Sequence, residues 1–307
     1  MAASRLISLR VVQQAPRLAL AALGAALVVA PQVLPPYYRS LGLAILADVA
    51  LAVSWALFSG PTRYLSLATG AFFGAGAYTT AVVLAKLPWP LPVLAGAAVA
   101  ASMALLVGTL ALRLRGPYFA VFTFGLAELA KHTLIWFETG VTGTVGRLLL
   151  NPPGPVALYY TVLAVAAAAI TTAAWLPRTR WGVALIGIGA DEERAETLGI
   201  DTTRIKIAVF ALSAAFMGAT GGAMAPRWTY LDPQVFNPLV SFQTVIMALL
   251  GGAGSVAGPA LGAVFLGLLS EILLLQFRYF YMLGLGVMLI VVVLLLPAGL
   301  AGLRRGR

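Results

Sequence analysis

Apolar runs long enough to cross a bilayer recur along this 307-residue chain, and they leave it few folds to choose from. They lie at about 18–34, 41–58, 65–85, 91–112, 117–137, 156–176, 207–226, 242–257, 259–277 and 280–298. Hydrocarbon offers no partner for a backbone amide, so a spanning segment must be a helix or part of a closed barrel. Barrel strands show alternation in segments of about ten residues. These runs are longer and continuously apolar. Only 10% of the residues are charged, against roughly 25% in a soluble domain. The expectation is an all-α polytopic membrane protein of about ten transmembrane helices, some broken by glycine-rich segments. It forms a single transmembrane domain over 1–307, with one short helical cytoplasmic loop at about 177–206.

Basic residues orient such a bundle. With the N-terminus in the cytoplasm, the outer loops hold five of the 20 Lys and Arg: Arg39, Lys86, Arg147, Arg227 and Arg278. Lys131 falls within a span, and the other fourteen are cytoplasmic. That bias follows the positive-inside rule and places both termini in the cytoplasm. The first run follows three arginines and is read as a retained span rather than a signal peptide. The net charge of +10 is assigned to loops beside anionic membrane lipid, not to nucleic acid.

Several chemistries are absent from the sequence. There is no cysteine and one histidine, His132, so thiolate metal sites and His-pair zinc sites are excluded. No lysine sits in a Gly-Lys-Ser/Thr phosphate loop, so the chain is expected to bind no cofactor. "GAGS" at 252–255 faintly resembles a membrane protease motif, but no base accompanies it. Ser255 is better read as part of a helix break, although it is kept among the candidate path residues.

The loop at 177–206 concentrates charge. "IGADEERAETLGIDTTRIK" carries Asp191, Glu192, Glu193, Glu196 and Asp201, half of the chain's ten acids. "TRWGVALIGIG" reads as a short helix with Trp181, Leu185 and Ile188 on one side. Asp191 can N-cap a second helix, with Glu192 and Glu193 at the positive end of its dipole. Gly199 suits a left-handed C-terminal position, and Asp201 can cap the next span. Two capped short helices look like a docking surface.

Small residues recur at four-residue spacing in two segments, Ser66, Gly70 and Gly74, and Gly254, Gly258 and Gly262. Such rows allow close helix packing in lipid. They are also compatible with broken helices lining a transport path, in the first and second halves of the chain. Asp48, Glu128 and Glu271 fall within expected spans, where acids are costly. Glu128 has local partners in Lys131 and His132. Asp48 and Glu271 have none nearby, and either pairs across helices or lines a pore. The outer loops at 138–155 and 226–241, with Arg147 and Arg227, are candidates for docking a soluble partner.

These motifs resemble a known family. "LSLATGAFFGAGAYTTAVVLAK" (65–86) with "LRLRGPYFAVFTFGLAELAK" (112–131) resembles the first half of a LIV-type branched-chain amino acid permease. "RTRWGVALIGIGADEERAETLGIDTTRIKIAVFALSAAFMGATGGAM" (178–224) is similar to that family's cytoplasmic loop and next span. "LGGAGSVAGPALGAVFLGLLSEIL" (250–273) resembles a late membrane segment. The likeness runs from about Leu41 to Leu296 and is strongest to the M-type subunit. It implies the permease subunit of an ATP-binding cassette importer in the bacterial or archaeal inner membrane, translocating branched-chain or related amino acids. The implied partners are a second, H-type permease subunit, two ATPase subunits that bind the ATP, and an extracytoplasmic substrate-binding protein. The family's coupling segment maps onto Ala184, Gly187, Gly189, Glu192, Ala195, Leu198 and Gly199, beside Leu185 and Asp191 from the loop itself. Relatives commonly carry Gly-His or Gly-Gln where this chain has Ala68-Thr69, which leaves Phe72 and Phe73 open as ligand contacts. The resemblance does not choose among branched-chain amino acids, urea, amides and related solutes. A self-sufficient secondary transporter or channel is the main alternative, and an intramembrane enzyme a more distant one.

Overall fold

The computed structural model describes residues 22–114, 116–149, 152–276 and 286. Eleven α-helices appear among them. They are α1 (Ala22–Val33), α2 (Pro36–Thr62), α3 (Thr69–Val83), α4 (Leu91–Ala111), α5 (Pro117–Phe137), α6 (Pro155–Trp175), α7 (Arg180–Ala190), α8 (Glu192–Thr197), α9 (Thr202–Met224), α10 (Pro238–Gly251) and α11 (Ala257–Gln276). The strands β1 (Arg147–Leu148) and β2 (Tyr230–Leu231) pair antiparallel. Proline stands in the first two positions of α2, α4, α5, α6 and α10, where its fixed φ suits a helix start and its missing N–H costs nothing.

Five of these helices are long and apolar enough to cross a membrane: α2, α4, α6, α9 and α11, with α6 and α9 each counted together with a short terminal 3-10 turn. The expected third and eighth spans are shorter. α3 has 15 residues and α10 has 14, about 22 and 21 Å at 1.5 Å per residue, against a hydrocarbon core of about 30 Å. α5 is long enough, but Glu128, Lys131 and His132 dilute its apolar character. The expected span at 280–298 lies outside the described residues, apart from position 286, as does the start of the one at 18–34.

α2 and α9 form the buried centre. α9 packs chiefly against α4 and α3, and α2 against α6 and α11. Small residues make the tightest of these crossings. Gly76 of α3 and Gly218 of α9 meet backbone to backbone, leaving no room for a side chain on Gly76. In lipid, where burial of apolar surface drives little, such close packing supplies much of the association.

The two short helices begin side by side. A Cβ on Gly70, in the first turn of α3, would lie 2.8 Å from the carbonyl oxygen of Asn237, the N-cap of α10. They then run opposite ways. α3 heads toward the β-ladder, where the Tyr78 hydroxyl donates to the Leu231 carbonyl at 3.5 Å. α10 heads toward the end of α2, where a Cβ on Gly60 would sit 2.6 Å from the Ala253 carbonyl oxygen. Residues 63–68, between α2 and α3, are not helical. This stretch turns back along α2, and the Trp55 indole N–H donates to the Ser66 carbonyl at 2.8 Å. Trp55 stands two turns before the end of α2, so α3 starts about 10 Å inside the bundle.

The break expected within 242–277 falls between α10 and α11. Gly252 takes φ +97° there, a conformation that favours glycine. Ser255 caps the restart, its hydroxyl accepting from the Gly258 N–H at 3.0 Å.

Candidate functional site

The loop between α6 and α9 folds into a compact knot. Thr179 caps α7, accepting from the Gly182 N–H at 3.2 Å. Asp191 ends α7 and caps α8, accepting from the Arg194 N–H at 3.0 Å. Asp201 caps α9 through the Arg204 N–H at 3.1 Å. Gly199 lies at φ +81°, and the Ile200 and Gly199 N–H groups close α8 onto the Ala195 and Glu196 carbonyls. That is the Schellman arrangement, which satisfies the last carbonyls of a helix.

The crowded acids serve this knot. Glu196 accepts from the Thr202 hydroxyl at 2.8 Å. Glu192 turns inward and forms an ion pair with Lys206 of α9. It also accepts from the Tyr64 hydroxyl at 2.7 Å. Lys206 Nζ donates in turn to the Leu112 carbonyl, at the end of α4, at 3.3 Å, and lies 5.0 Å from the centre of the Tyr64 ring. One buried ion pair therefore ties α8, α9, the end of α4 and the link after α2. Tyr64 continues into an aromatic cluster: its ring lies 5.2 Å from Phe119, and Phe210 lies 5.0 Å from Phe58 and 5.4 Å from Phe72.

The knot has an inner and an outer face. Leu185 and Ala195, which the sequence places in the coupling loop, are buried against the bundle, and Gly189 packs on the Pro61 backbone. The helical repeat decides this: Leu185 and Ile188 share one side of α7, and that side faces inward. The outward apolar residues are Val183, Ile186 and Leu198, with Gly187 open beside them, and Trp181, expected on the side of Leu185 and Ile188, is exposed as well. Between α7, the ends of α2 and α6, and the break at 253–256 lies a cavity of about 410 Å³, with Arg63 and Ser255 among its lining residues.

At the opposite end, β1 and β2 join the two loops expected to dock a partner. Arg147 is engaged there: its Nε donates to Glu138 Oε1 at 2.9 Å. Glu138 is buried, and it also accepts from the Gly146 N–H at 2.7 Å. Arg227 is exposed and donates to Ser40 at 2.9 Å. Val141, Leu148 and Tyr230 add an exposed apolar rim.

The remaining candidates scatter. Phe72 is buried in the aromatic cluster, whereas Phe73 faces Trp228 with ring centres 6.4 Å apart. Glu128 pairs locally with His132 at 3.5 Å and Lys131 at 3.9 Å. Glu271 of α11 accepts from the Tyr37 hydroxyl of α2 at 2.5 Å, a bond across helices. Asp48 lies beside Gly267 of α11, within electrostatic reach of Arg227. Among the described residues, no group of three His, Asp or Glu side chains could hold a metal ion. Lys206, Tyr64, Glu138 and Thr69 were not singled out as site residues in the sequence.

Apolar spans, two short helices starting inside the bundle and a folded loop at one end define a multi-pass transmembrane protein of the permease type. The chain belongs to the family described as branched-chain amino acid transport system / permease component, matched over residues 38–293. It is 28% identical over 281 residues to the high-affinity branched-chain amino acid transport system permease protein LivM of Salmonella typhimurium, covering 80% of this chain. It is 29% identical over 280 residues to LivM of Escherichia coli, again covering 80% of this chain. It spans 65% of the length of each LivM. A fructose import permease protein, FrcC of Rhizobium meliloti, is 26% identical over 199 residues, covering 60% of this chain and 55% of FrcC. No solved structure matches.

Proposed function

We propose that this chain is the permease subunit of an ATP-binding cassette importer that takes up branched-chain or related amino acids across the cytoplasmic membrane. The observation that carries this reading is the α7–α8 knot, which offers Val183, Ile186 and Leu198 outward while Glu192 and Lys206 tie its inner face to α9. A partner ATPase pressing on Ile186 and Leu198 moves α8. The ion pair passes that movement to α9 and Tyr64, and the cluster of Phe58, Phe72, Phe119 and Phe210 passes it to α2, α3 and α5. ATP binds the ATPase subunits, and this chain carries no cofactor and performs no catalysis. A second permease subunit of the H type completes the transmembrane pair.

The knot then faces the cytoplasm, as do both termini, and the chain makes ten passages in which α3 and α10 serve as incomplete spans. The β-ladder faces outward and receives a substrate-binding protein on Leu148 and Tyr230, with Arg227 steering acidic groups and Arg147 holding the platform through Glu138. The test is reconstitution in proteoliposomes with the two ATPases, the second permease and the binding protein. Leucine should accumulate only with internal ATP. The FrcC match keeps a sugar as a second solute class. ATP-driven uptake of fructose without leucine would move the assignment there.

A further inference from the structure

Resting on the amino-acid reading above, we propose that the meeting point of the α3 and α10 N-termini holds the carboxylate of the translocated solute midway across the membrane, with Thr69 as its side-chain donor. Each helix N-terminus carries about half a positive charge, and the unsatisfied N–H groups lie at α3, since at α10 Pro238 has no N–H and Asn237 accepts from the Leu239 and Val240 N–H groups. Here two such ends lie together, brought within van der Waals reach at Gly70 and Asn237. Short helices that start inside a membrane protein and point their N-termini at one spot suit an anionic ligand group.

The second observation is Thr69 itself. It is fully buried, and its hydroxyl has no hydrogen-bond partner. Hydroxyls inside these helices usually donate back to a carbonyl one turn earlier, as Thr123 does to Phe119 at 2.9 Å and Thr244 to Val240 at 2.7 Å. Thr69 makes no such bond: it opens its helix, and the residue four places before it, Leu65, lies in the non-helical link. The N–H of Gly70 is taken by Ser241 at 2.8 Å. Those of Thr69 and Ala71 make no hydrogen bond among the described residues. The side chains that tie the spot together, Thr123 holding the Leu67 N–H and Ser241 holding that of Gly70, are neutral. A carboxylate held by partial charges alone is also released readily, as passage requires.

α5 closes the spot. It buries only Phe119, Thr123, Leu126 and Ala127 of its 21 residues. Phe124 meets Phe242 of α10 with ring centres 5.9 Å apart.

The experiment measures solute moved per ATP hydrolysed by the complete transporter in proteoliposomes, with loaded binding protein at saturation, for the wild type, Thr69→Val and Thr69→Ser. Valine keeps the shape and removes the hydroxyl. Thr69→Val should lower leucine moved per ATP about ten-fold, the size expected for one lost hydrogen bond to a charged group, with ATP hydrolysis retained and the unfolding midpoint not lowered. Thr69→Ser should restore it. If Thr69 is only an unpaired buried hydroxyl, Thr69→Val will raise the unfolding midpoint and leave leucine per ATP unchanged, which overturns the proposal. Wild-type uptake confined to an uncharged sugar would instead sink the amino-acid reading, and this site with it.

Discussion

Lys206 and Glu192 form an ion pair across α9 and α8 in which both side chains are nearly buried, 3% and 13% exposed. Removing one member of such a pair leaves a buried charge uncompensated, which costs about 3–5 kcal/mol. Lys206→Met should therefore lower the unfolding midpoint and uncouple ATP hydrolysis from uptake. Lys206→Met combined with Glu192→Gln removes both charges and should recover much of the stability while uptake stays impaired. A double variant with wild-type uptake would show that the pair only holds the loop in place.

The two faces of the knot should respond differently. Ile186 is 56% exposed and Ala195 only 3%. Ile186→Glu should reduce co-purification of the ATPase subunits with no change in unfolding midpoint. Ala195→Trp should lower the midpoint as well, since an indole there has to displace α8 from the bundle. Asp191→Ala removes one N-cap worth about 1 kcal/mol and should weaken coupling only mildly. Equal ATPase recovery for Ile186→Glu and wild type would remove that face from the contact.

Glu138 and Arg147 hold the opposite end. Glu138→Gln should destabilise the chain by about 2 kcal/mol, less than a fully buried pair because Arg147 is 36% exposed at its side chain. It should also weaken capture of the binding protein. Arg227→Glu should leave stability near wild type and slow the encounter, with reduced salt dependence. Unchanged association rates for Arg227→Glu at low and high salt would rule out steering by this residue.

The chain has no cysteine, so single cysteines report membrane sidedness cleanly. A cysteine in place of Ala190 should react with an impermeant maleimide only from the inside, and one in place of Tyr230 only from the outside. The reverse pattern would invert the orientation and place the knot away from any ATPase.

The caps were legible in the sequence because capping is local: Asp191, Gly199 and Asp201 each act on neighbours within a few residues. Continuous apolar runs likewise showed where the long helices lie. The lengths of α3 and α10 were not legible, because residues 65–68 and 252–256 are partly apolar and hydropathy does not register a change from helix to irregular backbone. Which face of the knot turns inward was not legible for a related reason. Periodicity put Leu185 and Ile188 on one side of α7, but only the tertiary fold shows that this side meets the end of α2. Lys206 and Glu138 escaped notice because each sits just beyond an apolar run, where a charge looks solvated. Partners far away in the chain help to bury them: Tyr64 lies 142 residues from Lys206, and Tyr78 lies 60 residues from Glu138.

ATP-dependent uptake by the reconstituted transporter, with the wild type set against Ile186→Glu, tests the central claim most directly. The account predicts that the wild type accumulates leucine when ATP is enclosed with the ATPase subunits and stops when either is omitted. It also predicts that Ile186→Glu, inserted and folded normally, shows little uptake. Leucine uptake by this chain without ATPase subunits, or full uptake by Ile186→Glu, would contradict it.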